Sequence, residues 1–183
     1  MTRDEQLAQA VDRMDVAGTQ QGEDAWVELR PLGIGIVRAF VEAYPRFRTW
    51  QGRTALVYHA TRYARISDEA FQLGLMAMDD RSYMVRHRAC ALLAYSLRHD
   101  ALPALERAAG DANEMVATSA LAARNAILAG NHHLFVDRSL SGRAMWHVND
   151  GDGERAAGTA PPLPSRFQRW RLGIRPVPPL SQG

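Results

Sequence analysis

Apolar residues over the first 130 positions recur three and four apart, the period of helices with one buried face. Leu7, Ala10, Val11 and Met14 share a face over 3–16, with Asp4 and Glu5 in the first turn, where acids favour the helix dipole. Ala25, Trp26 and Leu29 make a second stripe that Pro31 interrupts. Pro31 then suits the first turn of a helix carrying Leu32, Ile36, Val37, Phe40, Val41 and Tyr44, which Pro45 ends. After a basic connector, 46–52, the spacing predicts a helix over 53–65 with Ala55, Leu56, His59, Ala60 and Tyr63 on one side. Ser67 is the expected N-cap of the next, in which Ala70, Phe71, Leu73, Gly74, Leu75 and Met78 point inward. A helix over 82–98 buries Val85, Ala89, Leu92, Leu93 and Ser96. A short one follows, with Pro103 in its first turn and Leu102, Leu105 and Ala109 inward, ending at Gly110. Asp111 and Glu114 have the spacing of a capping box opening a last helix over 112–129, closed by Gly130.

One stretch organises this series. Asp80, Met84, Val85, Ala89 and Leu97 return thirty-one residues later as Asp111, Met115, Val116, Ala120 and Leu128. A unit of this length cannot bury its apolar face alone and must stack on a neighbour. The pattern of an Asp, then Val85-Arg86, then small and apolar residues at helical spacing resembles the second helix of a HEAT-type repeat, the short kind also found in phycobilin-lyase-like proteins. The resemblance implies an all-α fold, an α-solenoid of HEAT-like helical repeats, in which Arg86 bonds an acid of the preceding turn, Asp79 or Asp80. In the second copy Ala117 stands where Arg86 does, so the motif has degenerated there.

Beyond Asn131 the period changes. His132–Arg138 and Arg143–Val148 alternate in the manner of two strands joined by a Gly-containing turn, which predicts a β-hairpin capping the last helix. From Asn149 the chain is rich in Gly, Pro and Arg and reads as disordered by composition, although Phe167, Trp170, Leu172 and Ile174 are anchors able to dock on a groove. The expected organisation is a helical repeat domain over 1–130, a hairpin cap over 131–148 and a Pro/Arg-rich tail over 149–183.

Charge refines this picture. The net charge of +2 is too small to drive binding to a polyanion by itself, but residues 1–30 carry seven acids against three Arg, and residues 31–110 eleven Arg against seven acids. All basic residues are Arg. Cys90 sits where a small apolar residue is wanted, which predicts a buried, reduced thiol. The N-terminus has no apolar signal-like run, and no apolar stretch is long enough to span a bilayer; a cytoplasmic protein without membrane contact is expected.

Arg62, Arg65, Arg81, Arg86, His87, Arg88 and Arg98, interleaved with Tyr58, Tyr63, Tyr83 and Tyr95, form the densest positive group. The hairpin region gathers His132, His133, Asp137, Arg138, Arg143 and His147, but a register pairing Arg138 with Arg143 would put His133 and His147 diagonally and on opposite faces, which disfavours a shared metal. No Gly-rich phosphate loop, Gly-x-Ser-x-Gly elbow or Cys-x-x-Cys pair occurs, so no cofactor or metal is expected. A short solenoid without catalytic motifs points to recognition: a non-catalytic protein-binding protein, in a narrower form a bacterial immunity protein occluding a secreted toxin. Its expected contact residues are Arg62, Arg65, Arg86, His87, Arg88, Arg98, Asp137, Arg138, Arg143 and His147. The alternative is a nucleic-acid-binding or DNA-glycosylase-like HEAT protein using the Arg-rich helical face. A lyase-like enzyme acting on a bound chromophore would require a polar pocket.

Overall fold

The structure, a computed structural model, describes residues 2–143, 145–152 and 161–179. It is all-α. The helices are α1 (Arg3–Asp12), α2 (Thr19–Leu29), α3 (Val37–Ala43), α4 (Trp50–Ala60), α5 (Asp68–Ala77), α6 (Tyr83–Ser96), α7 (Leu102–Ala108), α8 (Glu114–Leu128) and α9 (Arg166–Leu172), with short 3-10 turns between several of them. Among the described residues there is no β-strand and no helix long and apolar enough to cross a membrane.

Local chemistry sets the boundaries. The Glu5 amide donates to Thr2 Oγ1 (3.2 Å) while the Thr2 amide donates to Glu5 Oε2 (2.7 Å), a reciprocal cap on α1. Ser67 caps α5 as expected, accepting from the Ala70 amide at 3.1 Å. The helix expected from Pro31 does not start there: 30–36 is a 3-10 segment broken by Gly33 at φ +59°, a left-handed conformation that glycine adopts without a Cβ penalty, and α3 begins at Val37. The cap of α8 is Asn113, whose Oδ1 accepts from the Val116 amide, rather than the Asp111–Glu114 box; Asp111 is engaged elsewhere.

Helix α6 packs on both α4 and α8, while α5 packs on α3, α4 and α6, and α7 on α8. Helices α4, α6 and α8 share a register. Their third residues, Gly52, Val85 and Val116, and their seventh, Leu56, Ala89 and Ala120, are all buried. A Cβ on Gly52 would stand 2.8 Å from the Met14 carbonyl and 2.9 Å from Asp15 Cα, so the close approach of the α1–α2 connection excludes the valine found in the other two helices.

The fourth residues carry the polar framework. Arg53 Nη1 donates to the Phe47 and Arg48 carbonyls (3.1 and 3.2 Å), and its Nε and Nη2 donate to Asp80 (2.6 and 3.1 Å). Arg86 repeats this one helix on. Its Nη1 donates to the Asp80 and Arg81 carbonyls (2.8 and 3.2 Å), and its Nε and Nη2 to Asp111 (2.7 and 3.0 Å). Each guanidinium therefore ties the turn before its own helix to the aspartate leading the next. Arg86 meets Asp80 through the backbone only; the Asp80 carboxylate belongs to Arg53, Tyr44 Oη (2.6 Å) and the Ser82 amide (2.8 Å).

The hairpin expected over 131–148 is absent from the described residues. His132–Phe135 is a 3-10 turn with all four side chains buried. The following loop is closed by Asp137, which accepts from the Ser141 and Gly142 amides (2.9 and 2.8 Å). The return segment is held by histidine side chains instead of a ladder: the Trp146 amide donates to His133 Nδ1 (3.2 Å), and His132 Nε2 lies 3.0 Å from the Trp146 carbonyl. Farther on, the described part of the tail docks. Arg124 donates to the Leu172 and Gly173 carbonyls, Asn125 to the Arg175 carbonyl, and Ile174 and Val177 are buried. Phe167 and Trp170, expected as anchors, are instead 64% and 74% exposed. Cys90 is buried as expected, its thiol pushed up to about 12 by desolvation.

Candidate binding cleft

The ten residues expected to contact a partner separate into engaged and open groups. Arg86 is committed to Asp111. Arg98 pairs with Asp68 and Asp100 at the surface. Arg65 donates to the Tyr95 carbonyl (2.9 Å), approaches Asp152 (3.3 Å) and lies over the Tyr95 ring. Asp137 closes its own loop and pairs with no Arg among the described residues. Arg138 is buried, donating to Thr118 Oγ1, Ser119 Oγ and the Pro178 carbonyl (3.2, 3.0 and 3.1 Å), and so straps the tail to α8. His87 shares Ser119 Oγ at 2.8 Å; burial, then Arg88 and Arg138, lower its pKa to about 4. These two residues line a cavity of about 470 Å³ under the tail. Arg143 and His147 are exposed.

Asp152, its side chain 5% exposed, fastens the return segment to α6. It accepts from Tyr95 Oη (3.0 Å) and from the Val148 and Asn149 amides (2.9 Å each). The two histidine rings of the 3-10 turn lie 4.0 Å apart, yet no group of His, Cys, Asp and Glu able to hold a metal occurs among the described residues.

Arg88 and Arg62 remain open. Both line a chamber of about 110 Å³, and Arg88 also lines an adjoining cavity of about 420 Å³. The two spaces share Tyr58, His59 and Arg88. The Arg88 guanidinium lies over the Tyr58 ring, 5.0 Å from its centre, and its Nε is buried without a hydrogen-bond partner among the described residues. Burial lowers its pKa, and Tyr58 opposes the shift. His59 stacks on the buried Trp26 ring (4.0 Å, 16°) and meets Tyr58 edge-on (5.0 Å). Its Nε2 is likewise buried and unpaired, 3.8 Å from Glu23 Oε1. Burial first, then Arg62 and Arg88, lower its pKa to about 3, so the ring stays neutral near pH 7. Trp50 and Tyr58, 42% and 52% exposed, stand at the surface of the cleft.

Helical spacing explains which arginine went where. Residues 86 and 88 are two positions apart on α6, about 200° around the axis, so one turns to the helix start and the other to the cleft. Arg88 and Tyr58 were legible as part of a basic, aromatic group. His59 and Trp26 were not, because their spacing marks them as core; the signal available was a histidine on an apolar stripe.

The chain matches no protein-family model, and no curated protein matches it.

Proposed function

We propose that this protein is a non-catalytic protein-binding module, a short HEAT-like α-solenoid whose α4 and α6 present the docking face. The register shared by α4, α6 and α8, and the Arg53–Asp80 and Arg86–Asp111 ties repeated along it, support the solenoid reading. The observation that carries the docking reading is Arg88: a guanidinium without an acid partner among the described residues, stacked on a half-exposed tyrosine. Arginine, tyrosine and tryptophan are the residues that dominate protein interfaces, and Trp50 lines the same cavity. The immunity form of this reading makes the partner a toxin whose active site the cleft face covers. Against the nucleic-acid alternative, Arg65, Arg86, Arg98 and Arg138 are already engaged by acids, carbonyls or hydroxyls, which leaves few cations of the Arg-rich helical face to follow a phosphate backbone.

Copurification from the native host is the test. One stoichiometric protein partner retained by Arg98→Glu and lost by Arg88→Glu supports the reading; retention by Arg88→Glu removes this face. Duplex DNA binding that falls steeply with salt would favour the alternative instead.

A further inference from the structure

We infer that the cleft binds a single carboxylate carried on an apolar body, with the Arg88 guanidinium as its anchor and His59 Nε2 as a second contact. The inference rests on the reading of this face as a recognition surface and names the chemistry of the group that enters it.

Native proteins pair nearly every buried polar atom, so an orphan asks for an explanation. Among the described residues, His59 Nε2 and Arg88 Nε are the side-chain nitrogens buried without a partner, and both residues belong to the same cleft wall. Two such nitrogens on one cleft wall suit an acceptor group with two oxygens, which guanidinium recognises best. The charges point the same way. The charged residues lining the two spaces together are Arg62, Arg88 and Glu23, a net of one positive charge, which a carboxylate neutralises and a phosphate dianion exceeds. Most of the remaining wall is apolar, Met14, Val16, Trp50, Ala55 and Met84 beside the neutral polar Gln51 and Thr54, and the volume is within the range of small-ligand sites.

Tyr58 controls access. It lies over Arg88, meets His59 edge-on and is half exposed, so rotating it toward solvent uncovers both nitrogens at the modest cost of one cation–π contact. The carboxylate then takes the place of the phenol ring beside the guanidinium, and the ligand's apolar body lies against Trp50 and Met84.

The test uses the full chain and three small probes: 3-phenylpropionate, its neutral isostere 3-phenylpropanamide, and inorganic phosphate. Calorimetric titration and the ¹⁵N resonance of Arg88 Nε are the readouts. The expected result is saturable binding of 3-phenylpropionate that shifts the Nε signal, with the amide, phosphate and the Arg88→Met variant each at least about tenfold weaker. Arg98→Met, outside the cleft, keeps wild-type affinity. Thermal unfolding of Arg88→Met at or above the wild-type midpoint establishes that lost binding is not lost folding. A blocked peptide, acetyl-Phe-Asp-Phe-amide, identifies the source: tighter binding than the free acid assigns the carboxylate to a protein side chain, weaker binding to a small acid, and either keeps the site. Equal affinity for acid and amide, tighter binding of phosphate, undiminished binding by Arg88→Met, or no saturable shift up to about 10 mM overturns it. A protein partner lost by Arg88→Glu without any response to the carboxylate probes would end this inference and leave the docking reading; probe binding without a protein partner would do the reverse.

Discussion

Asp80→Asn isolates the charge that ties α4 to α6. The Asp80 side chain is 5% exposed and that of Arg53 7%, with Nε–Oδ2 at 2.6 Å. Asparagine keeps an acceptor for the Ser82 amide but leaves the guanidinium buried beside a neutral group. Breaking one side of a buried pair costs roughly 3–5 kcal/mol, because the remaining charge has no compensation. Asp111→Asn makes the same change one helix on, where Arg86 and Asp111 are 19% and 12% exposed; partial hydration of the orphaned Arg86 limits the loss to about 1–3 kcal/mol. In urea, with a slope of about 2 kcal/mol/M, the midpoint of Asp80→Asn falls by roughly 2 M and that of Asp111→Asn by about half as much. Acid checks the cause. Burial raises the Asp80 pKa, but hydrogen bonds from Arg53, Tyr44 and Ser82 outweigh it and hold the carboxyl below its ordinary value. The unfolded chain therefore takes up this proton first, and the stabilisation present above about pH 4 is lost as the pH falls. Wild type weakens in that range and Asp80→Asn weakens less. A loss below about 1 kcal/mol for Asp80→Asn, or one no larger than for Asp111→Asn, would refute the assignment.

Three further outcomes follow from packing and burial. Gly52→Ala costs about 2 kcal/mol or more because backbone blocks the new methyl, whereas Gly74→Ala, whose Cβ meets Leu92 Cδ2 at 2.5 Å, costs about 1–3 kcal/mol since side chains can yield; urea unfolding ranks them. His59, His87 and His132 are held neutral chiefly by burial, at about 3, 4 and 4; the unfolded chain binds their protons first, so stability present above pH 6.5 is lost as pH falls, by about 2 kcal/mol per histidine at about pH 5. Equal urea midpoints at about pH 7.5 and 5 would contradict this. Asp152→Ala strands two amides and the Tyr95 hydroxyl, costs about 2–4 kcal/mol, and speeds tryptic cleavage after the exposed Arg143.

The helices were legible because Ala, Leu and Val return at helical spacing and because Ser67 caps on its own. Residues 82–129 displayed two copies of one unit, but the α4 copy was hidden, since Gly52 replaces the valine that would have revealed it and Arg53 then lacked a matching context. The hairpin was misread for a physical reason. In His132–Phe135 two histidines are buried beside two apolar residues, so alternation of residue type did not mean alternation of face. The candidate site was half legible. Charge and aromatics marked Arg88 and Tyr58, but Asp111, which claims Arg86, lies 25 residues away, and of the two acids on Arg98 only Asp100 is local, Asp68 lying 30 residues off. Only the fold tells the committed arginines from the open one.

In the proposed function two arginines on one helix divide the work: Arg86 holds the helices together and Arg88 would meet an incoming partner. The direct measurement is the urea midpoint of Arg86→Met beside that of Arg88→Met. A large drop for Arg86→Met with an unchanged or higher midpoint for Arg88→Met is the expected result. An equal or larger drop for Arg88→Met would contradict it.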